Sequence, residues 1–428
     1  MAKPSSRSAK ALGTFAGLDI GTEKVSCAMG SVLVDSNKED ATPKMILSGF
    51  AQRAAKGVSL RGISDLEALE TSILNAVNAA EESSQQNIGE VYVSVPAYLL
   101  TTKETVTEVQ LSGQTPIQPV HLRKLFRLSK NIAVDDDQYV IHIWPLSYQL
   151  DGLTNIQDPT GMVGKKLSAV CHIVSAPKAY IHNLSTCIGR CHLDIAGFVA
   201  DPYAAGLACL DSDEAELGTT LVDIGGKATQ IACFLGGKLI WMTSLPLGGS
   251  HITSDLARGL STNLAQAERI KNLYGTLVVE NKISAEQVPV TQVGAKAGPN
   301  IRYVARRDIS HIIKARVDEI FDEILRSLSK VPPSVPPVVF QKVLLTGGCC
   351  QFPGMVDLAA QRLRTRVRLA SQTEVEGQDS ILSSLTFPTC AGLLCCALQD
   401  YTGRSLMDRD KKPLTFWQRL VLWLNEHV

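Results

Sequence analysis

One short device occurs twice in this chain and limits what it can fold into. Phe15-Ala-Gly-Leu-Asp-Ile-Gly21 and Thr220-Leu-Val-Asp-Ile-Gly-Gly226 are both apolar runs broken by an aspartate and closed by glycine, and Asp19 and Asp223 stand 204 residues apart (223 − 19). A short apolar run that stops at Asp and Gly reads as a buried strand entering a turn. Its return at so long a spacing makes the chain a duplication, two halves that open alike. After the first copy Val25, Cys27 and Met29 alternate, so the turn from Gly21 to Lys24 closes a hairpin.

The composition supports a folded α/β protein. The 428 residues are 45% hydrophobic and 20% charged, far from the signature of disorder and long enough for several domains. Lys+Arg and Asp+Glu are equal at 42 each, so no global field draws in nucleic acid, and none is expected as a partner. No apolar run reaches the roughly 20 residues of a membrane-spanning helix, and MAKPSSRSAK has no apolar signal core behind it. Eleven cysteines in such a chain read as reduced, buried thiols. Cys187 and Cys191 lie between His182 and His192, yet the Cys-x3-Cys spacing matches no zinc pattern and favours structural thiols over a metal site.

Along the chain, residues 1–12 read as a flexible arm. Leu66, Leu69, Ile73, Ala76, Val77 and Ala80 place a helix over 64–82, with Ser64 as N-cap and Glu67 completing a capping box. Val91–Val95 is a strand, 119–130 a basic helix, and Asp158-Pro-Thr-Gly161 a polar turn. Helical patterns dominate 178–208, and acidic residues 211–216 mark a boundary. Helices follow at 251–274 and 311–328, then an extended Pro-rich linker from Val331, a strand Lys342–Leu345, and an apolar helix at 388–399.

Three glycine turns follow buried strands: Asp19-Ile-Gly21-Thr22-Glu23-Lys24, Asp223-Ile-Gly225-Gly226-Lys227 and Thr346-Gly347-Gly348-Cys349. Glycine lets backbone amides approach and point at phosphate without help from side chains. Two aspartates facing across a phosphate pair suit Mg²⁺ held mainly through water, which gives Asp19 and Asp223 as metal-water ligands. A Walker A loop is absent, because Gly226-Lys227 lacks the upstream glycine spacing.

These turns resemble the two phosphate motifs and the adenosine motif of the actin, Hsp70 and sugar-kinase superfamily. Within it the chain is similar to the bacterial cell-division FtsA family over nearly its whole length. The stretches that carry this are Tyr139-Val-Ile-His-Ile-Trp-Pro145, Asp151-Gly, Asp158-Pro-Thr-Gly-Met162, His172-Ile-Val, Leu245-Pro-Leu-Gly-Gly-Ser-His-Ile-Thr253, Ala267-Glu-Arg-Ile-Lys271 and Ala315–Phe321. The resemblance implies a duplicated actin-like (ribonuclease H-like) two-lobed ATPase fold with an inserted FtsA-type α+β subdomain. By it, 13–88 and 169–214 form the first lobe with 384–400 returning to it, 89–168 the insert, 215–246 and 331–383 the second lobe, and 247–330 its subdomain. Residues 401–412 are then a linker and 413–428 a membrane-targeting amphipathic helix.

The resemblance further implies ATP and Mg²⁺ as cofactors. Glu268 and Lys271, one helical turn apart, would grip the nucleoside, where otherwise they read as a surface ion pair. Gly248 and Gly249 would lie near the phosphates. Asp201 matches the position that orients the attacking water, while its plain reading is a helix N-cap before Pro202. Relatives usually carry Thr or Ser at 23, Gly at 227, Thr or Asp near 230 and Gly at 349, whereas this chain has Glu23, Lys227, Gln230 and Cys349. A carboxylate beside triphosphate costs up to about 4 kcal/mol at 4 Å with an effective dielectric near 20. Lys227 is at hand to offset it, so the expectation is bound nucleotide with feeble hydrolysis.

Residues 413–428 carry a second chemistry. On a helix Phe416, Trp417, Leu420, Val421, Trp423 and Leu424 make one broad apolar face behind Lys411-Lys412. Too short to span, such a segment lies in the interface of an anionic membrane, against the alternative of a terminal helix docked on its own domain. The family resemblance implies the same, and with it a place at the cytoplasmic face of the inner membrane at the division site. It also implies self-association into filaments, downstream divisome proteins as partners, and the C-terminal tail of the tubulin homologue FtsZ bound at the 247–330 subdomain. Arg302, Arg306 and Arg307 there suit an acidic peptide or mark a solvated helix start. Rival readings are a sugar or acetate kinase, disfavoured by the insert, and a pilus-assembly adaptor, disfavoured by the tail.

Overall fold

In the computed structural model, which describes residues 10–34, 43–278, 286–293, 301–372 and 375–407, each repeated segment opens an antiparallel meander of three strands. Lys10–Ile20, Lys24–Val34 and Lys44–Ala54 form the first, and Thr219–Ile224, Thr229–Leu235 and Lys238–Leu245 the second. On its other side each opening strand gains two parallel neighbours. These are Glu90–Val95 then Asp194–Ala200 in the first sheet, and Lys342–Thr346 then Arg366–Leu369 in the second. Strand order is therefore the same in both halves, with a short Val375–Glu376 strand added at the edge of the first. The opening strands bury Leu18, Ile20, Val222 and Ile224 because each sits in mid-sheet with helices to cover it.

A separate four-stranded sheet, Thr101–Gln110, Lys166–Pro177, Gln138–Leu150 and Leu153–Ile156, carries helix Pro119–Ala133 and encloses its own core of Val109, Leu125, Leu167 and Ile173. Strand Glu90–Val95, which the sequence reading assigns to the insert, instead pairs with Lys10–Ile20 in the first sheet. The inserted sheet thus starts at Thr101 and its last strand continues to Pro177.

Helices Asp201–Cys209 and Pro388–Met407 cross between the two large sheets. Ala204, Ala208, Ala391 and Leu394 share one core with Ala28 and Met45 of the first sheet and with Leu221, Ala232, Phe234 and Leu344 of the second. Small residues permit this closeness. A Cβ on Gly392 would lie 1.7 Å from the Ala204 carbonyl oxygen, and one on Gly206 would lie 2.2 Å from the Phe234 ring.

Several local expectations change. The first helix is capped by Asp65, whose carboxylate accepts from the Ala68 amide at 3.1 Å, because Ser64 is one residue too early and donates its amide to Gly57. The 178–208 region is two helices, Lys178–Arg190 and Asp201–Cys209, since Asp194–Ala200 is drawn into parallel pairing. The expected 251–274 helix breaks where Ser261 turns left-handed (φ 54°) and Asn263 caps a second helix, giving Gly249–Leu260 and Leu264–Tyr274. Strand pairing from Lys10 to Val34 reaches into the expected arm, and helix Pro388–Met407 runs through the first part of the expected linker. Cys187 and Cys191 are buried and turn their thiols to the Leu66 and Glu70 carbonyls.

Glu214 fastens the segment that joins the halves. Its carboxylate meets Arg368 at 2.9 Å and also Lys342, pinning helix Ser212–Leu217 to two strands of the second sheet. Burial pushes this acid up, but the hydrogen bonds from Arg368, Lys342 and the Asp211 amide outweigh it and hold it at about 2. A depressed carboxylate contributes stability that is present above its unfolded value near 4.5 and is lost as pH falls toward 2. Acid thermal scans should therefore show Glu214→Gln melting below the parent at pH 6 with the gap narrowing below pH 4.5; a constant gap would count against this account. Gly392→Ala should lower the melting midpoint by an amount equivalent to about 3 kcal/mol, since backbone must move. Gly189→Ala, with open space around it on a helix, should be neutral or slightly stabilising.

Candidate functional site

The two repeated turns close identically. The Gly21 amide donates to the Lys24 carbonyl at 2.9 Å and the Gly225 amide to the Ala228 carbonyl at 3.0 Å. They face each other across the space between the sheets, where Lys227 Nζ lies 3.2 Å from Glu23 Oε1. Both partners are about half exposed, so the pair is worth well under about 1 kcal/mol, yet it brings the cation against the carboxylate that departs from the expected pattern.

The start of helix Gly249–Leu260 docks on the second turn. Gly249 and Ser250 amides donate to the Gly225 and Gly226 carbonyls at 2.9 and 2.8 Å. A Cβ on Gly248 would lie 2.6 Å from both of those carbonyl oxygens, so only glycine allows the approach. The third turn packs on the same aspartate: Gly347, at φ +93°, would place a Cβ 2.3 Å from Asp223 Oδ1. Gly348 has room, its nearest neighbour being Thr386 Cγ2 at 3.6 Å from an ideal Cβ.

Glu268 and Lys271 do pair, at 2.6 Å, but they join a closed network. Thr253 donates to Glu268, and Lys271 Nζ also reaches Thr253 Oγ1 at 3.0 Å and the Gly249 carbonyl at 3.3 Å. This ties helix Leu264–Tyr274 to the start of the preceding helix, with Cys349 Sγ beside Gly249. Lys24 is close by on the surface; partial desolvation holds its amine below the usual lysine range, and Glu268 opposes that.

Asp19, Asp201 and Asp223 form the floor. Asp19 accepts from Ser94 Oγ at 2.7 Å. Asp201 is not an N-cap; that position is Ala200, and the Asp201 oxygens accept from Gln230 Nε2 at 2.6 Å and Thr389 Oγ1 at 2.8 Å. Burial raises all three carboxyls above the ordinary range, and the charge of Asp201 raises Asp19 and Asp223 further. The Tyr98 hydroxyl is buried without a partner, and burial first, then the charges of Tyr180, Asp201 and Asp19, push it up. Desolvated acids under mutual repulsion, oxygen donors only, and an orphan hydroxyl suit a hydrated hard cation and its anionic ligand. Among the described residues no three His, Cys, Asp or Glu side chains converge as a group that could hold a metal ion.

The sequence reading missed Ser94, Tyr98, Thr253 and Thr389. Only Ser94, a lone polar residue inside Val91–Val95, carried a local signal. Arg302, Arg306 and Arg307 do not face out together. Arg306 is held by Glu286 and the Tyr274 carbonyl, at 2.8 and 2.9 Å, while Arg302 on strand Ile301–Ala305 and Arg307, which leans on His311, are both exposed. Phe416, Trp417, Leu420, Val421, Trp423 and Leu424 lie outside the described residues. Among the described residues no helix is long and apolar enough to cross a membrane.

Two sheets of equal topology around a glycine-lined acidic cleft define an actin-like, two-lobed ATPase fold with one inserted domain. Solved structures agree: PilM in a PilM-PilN type IV pilus biogenesis complex aligns with TM-score 0.62 at 16% identity over 90% of this chain and 98% of that one. MreB5 of Spiroplasma citri bound to ADP aligns with TM-score 0.55 at 12% identity over 93% and 99%. The family described as cell division protein FtsA matches residues 220–392, and the SHS2 domain inserted in FtsA matches 100–175. The cell division protein FtsA of Agrobacterium fabrum is 33% identical over 380 residues, 88% of this chain and 85% of that one. Those of Pseudomonas aeruginosa and Escherichia coli K12 are each 27% identical, covering 95% and 88% of this chain and 96% and 89% of theirs. The chain belongs to the FtsA family of actin-like cell division proteins.

The third turn makes a prediction that needs no ligand. Gly347→Ala should lower the thermal midpoint by the equivalent of about 2–3 kcal/mol through strain and collision with Asp223, while Gly348→Ala stays near the parent. Equal midpoints for the two variants would contradict the placement of the turn.

Proposed function

We propose that the cleft binds ATP with Mg²⁺ and that the protein uses the bound state to assemble on a membrane and hold FtsZ filaments there. The observation that carries the reading is the convergence of three glycine turns on Asp19 and Asp223, both partly buried and both made costly to ionise by desolvation. When bound, Mg²⁺ would supply charge neutralisation and orientation to the phosphates. Asp19 and Asp223 would hold its waters, Lys24 would meet phosphate, and Glu268 and Lys271 would border the nucleoside. Asp201 would orient the attacking water, although both its oxygens already accept hydrogen bonds. A weak Mg-dependent ATPase at most is the reading this supports.

The membrane part rests on sequence. Phe416, Trp417, Leu420, Val421, Trp423 and Leu424 on one face behind two lysines suit an interfacial helix on anionic lipid, so the protein would work as a peripheral tether at the inner face of the cell membrane. Arg302, with the neighbouring Tyr303 65% exposed, offers a cation and an aromatic to the acidic tail of FtsZ. Self-association into filaments and contacts of the inserted domain with later division proteins complete the proposal.

The test is co-sedimentation with anionic vesicles in Mg-ATP, using the full chain, a 1–412 truncation and full-length Trp417→Glu/Trp423→Glu, followed by an FtsZ tail peptide. The full chain should pellet and recruit the peptide, and both variants should stay in solution. Equal pelleting of all three would end the tether reading, and no measurable Mg-ATP affinity would end the nucleotide reading.

A further inference from the structure

One side chain crosses between the lobes where the carboxyls meet. Gln230 lies on strand Thr229–Leu235 of the second sheet, opposite Asp223 in register, and is buried. Its Nε2 donates to Asp201 Oδ2 at 2.6 Å and its Oε1 accepts from the Ala97 amide at 2.7 Å. Both partners belong to the first lobe: Ala97 opens the short helical turn after strand Glu90–Val95, and Asp201 begins the helix after strand Asp194–Ala200. The second oxygen of Asp201 is taken by Thr389 of helix Pro388–Met407. Only a side-chain amide suits both ends of this link, since it donates with nitrogen and accepts with oxygen while carrying no charge into a site already crowded with carboxylates.

We propose that Gln230 is a positioning residue with two linked effects: it clamps the second sheet to the first lobe across the cleft floor, and it restrains Asp201 from acting on water. The second effect rests on the nucleotide reading above; the first does not. The clamp joins a strand of the second sheet to two segments of the first lobe through one buried side chain, so opening the cleft must break both hydrogen bonds together. The restraint follows from direction. With one oxygen held by Gln230 and the other by Thr389, the Asp201 carboxylate cannot swing, and its acceptor strength is shared with two donors. In hydrolysis the water oxygen would bond to the γ-phosphorus, the bond from that phosphorus to the bridging oxygen would break with its electron pair leaving on ADP, and the water proton would pass to Asp201. A carboxylate tied at both oxygens is poorly placed to take that proton, and Gln230 is the tie supplied by the opposite lobe.

The experiment uses full-length Gln230→Met, which keeps the volume, and Gln230→Ala. Hydrogen exchange without nucleotide reads the clamp: the peptide containing Ala97 should exchange about tenfold faster in both variants, as for one lost protecting hydrogen bond. Unchanged exchange overturns the clamp whatever the cleft binds. Single-turnover hydrolysis of Mg-ATP reads the restraint: both variants should be faster by about fivefold or more, and adding Asp201→Asn should remove the gain. A loosened scaffold alone would slow hydrolysis, so an unchanged or lower rate in a variant that still binds Mg-ATP overturns the restraint. If the parent itself does not bind Mg-ATP, the nucleotide reading fails and the restraint falls with it, while the exchange result still decides the clamp.

Discussion

The two helices packed between the sheets set the geometry on which the rest of this protein depends. Gly392 lets Pro388–Met407 lie against the backbone of Asp201–Cys209, with Gly206 admitting the Phe234 ring on the other side. A larger residue at either place would drive the sheets apart by atomic dimensions. Because Asp201 starts one helix and Thr389 lies in the first turn of the other, the same packing sets the position of the acid on the cleft floor. The distance between lobes and the placement of Asp201 are thus one constraint.

Upon that scaffold the cleft concentrates unfavourable charge. Asp201 is buried, Asp19 and Asp223 are partly buried, and the three repel one another, with local donors only partly relieving them: Ser94 for Asp19, Gln230 and Thr389 for Asp201. Glycine is placed where backbone or carboxylate must come close, at Gly248 and Gly347. Such an arrangement is stable enough in the folded chain because the surrounding core is large. At the mouth Lys227 pairs with the Glu23 carboxylate.

Much of the fold was legible. Apolar periodicity placed the first helix, the first hairpin and short strands in the insert, and the repeated Asp-Ile-Gly segments marked two halves that open alike, while the equal strand order of the two sheets emerged only in the structure. What escaped was decided by pairing and not by propensity. Asp194–Ala200 looks helical in its neighbourhood but is a strand because Glu90–Val95 offers a parallel edge. The break at Ser261 and the cap at Asp65 turn on single dihedral angles that a pattern of apolar residues does not specify.

For the site the division is sharper. The residue types of the three turns are a local matter, since glycine after a buried strand and an aspartate before it declare their purpose within a few positions. Their convergence is not local, nor is the state of each acid. Gln230, Ala97, Asp201 and Thr389 are distant in sequence and meet only because two sheets and two helices close around them. By itself the sequence determined a duplicated α/β chain with two matched acidic glycine turns. The tertiary structure alone decided which carboxylate is tied, by which donor and from which lobe, because hydrogen bonds and desolvation depend on neighbours in space that no spacing along the chain encodes.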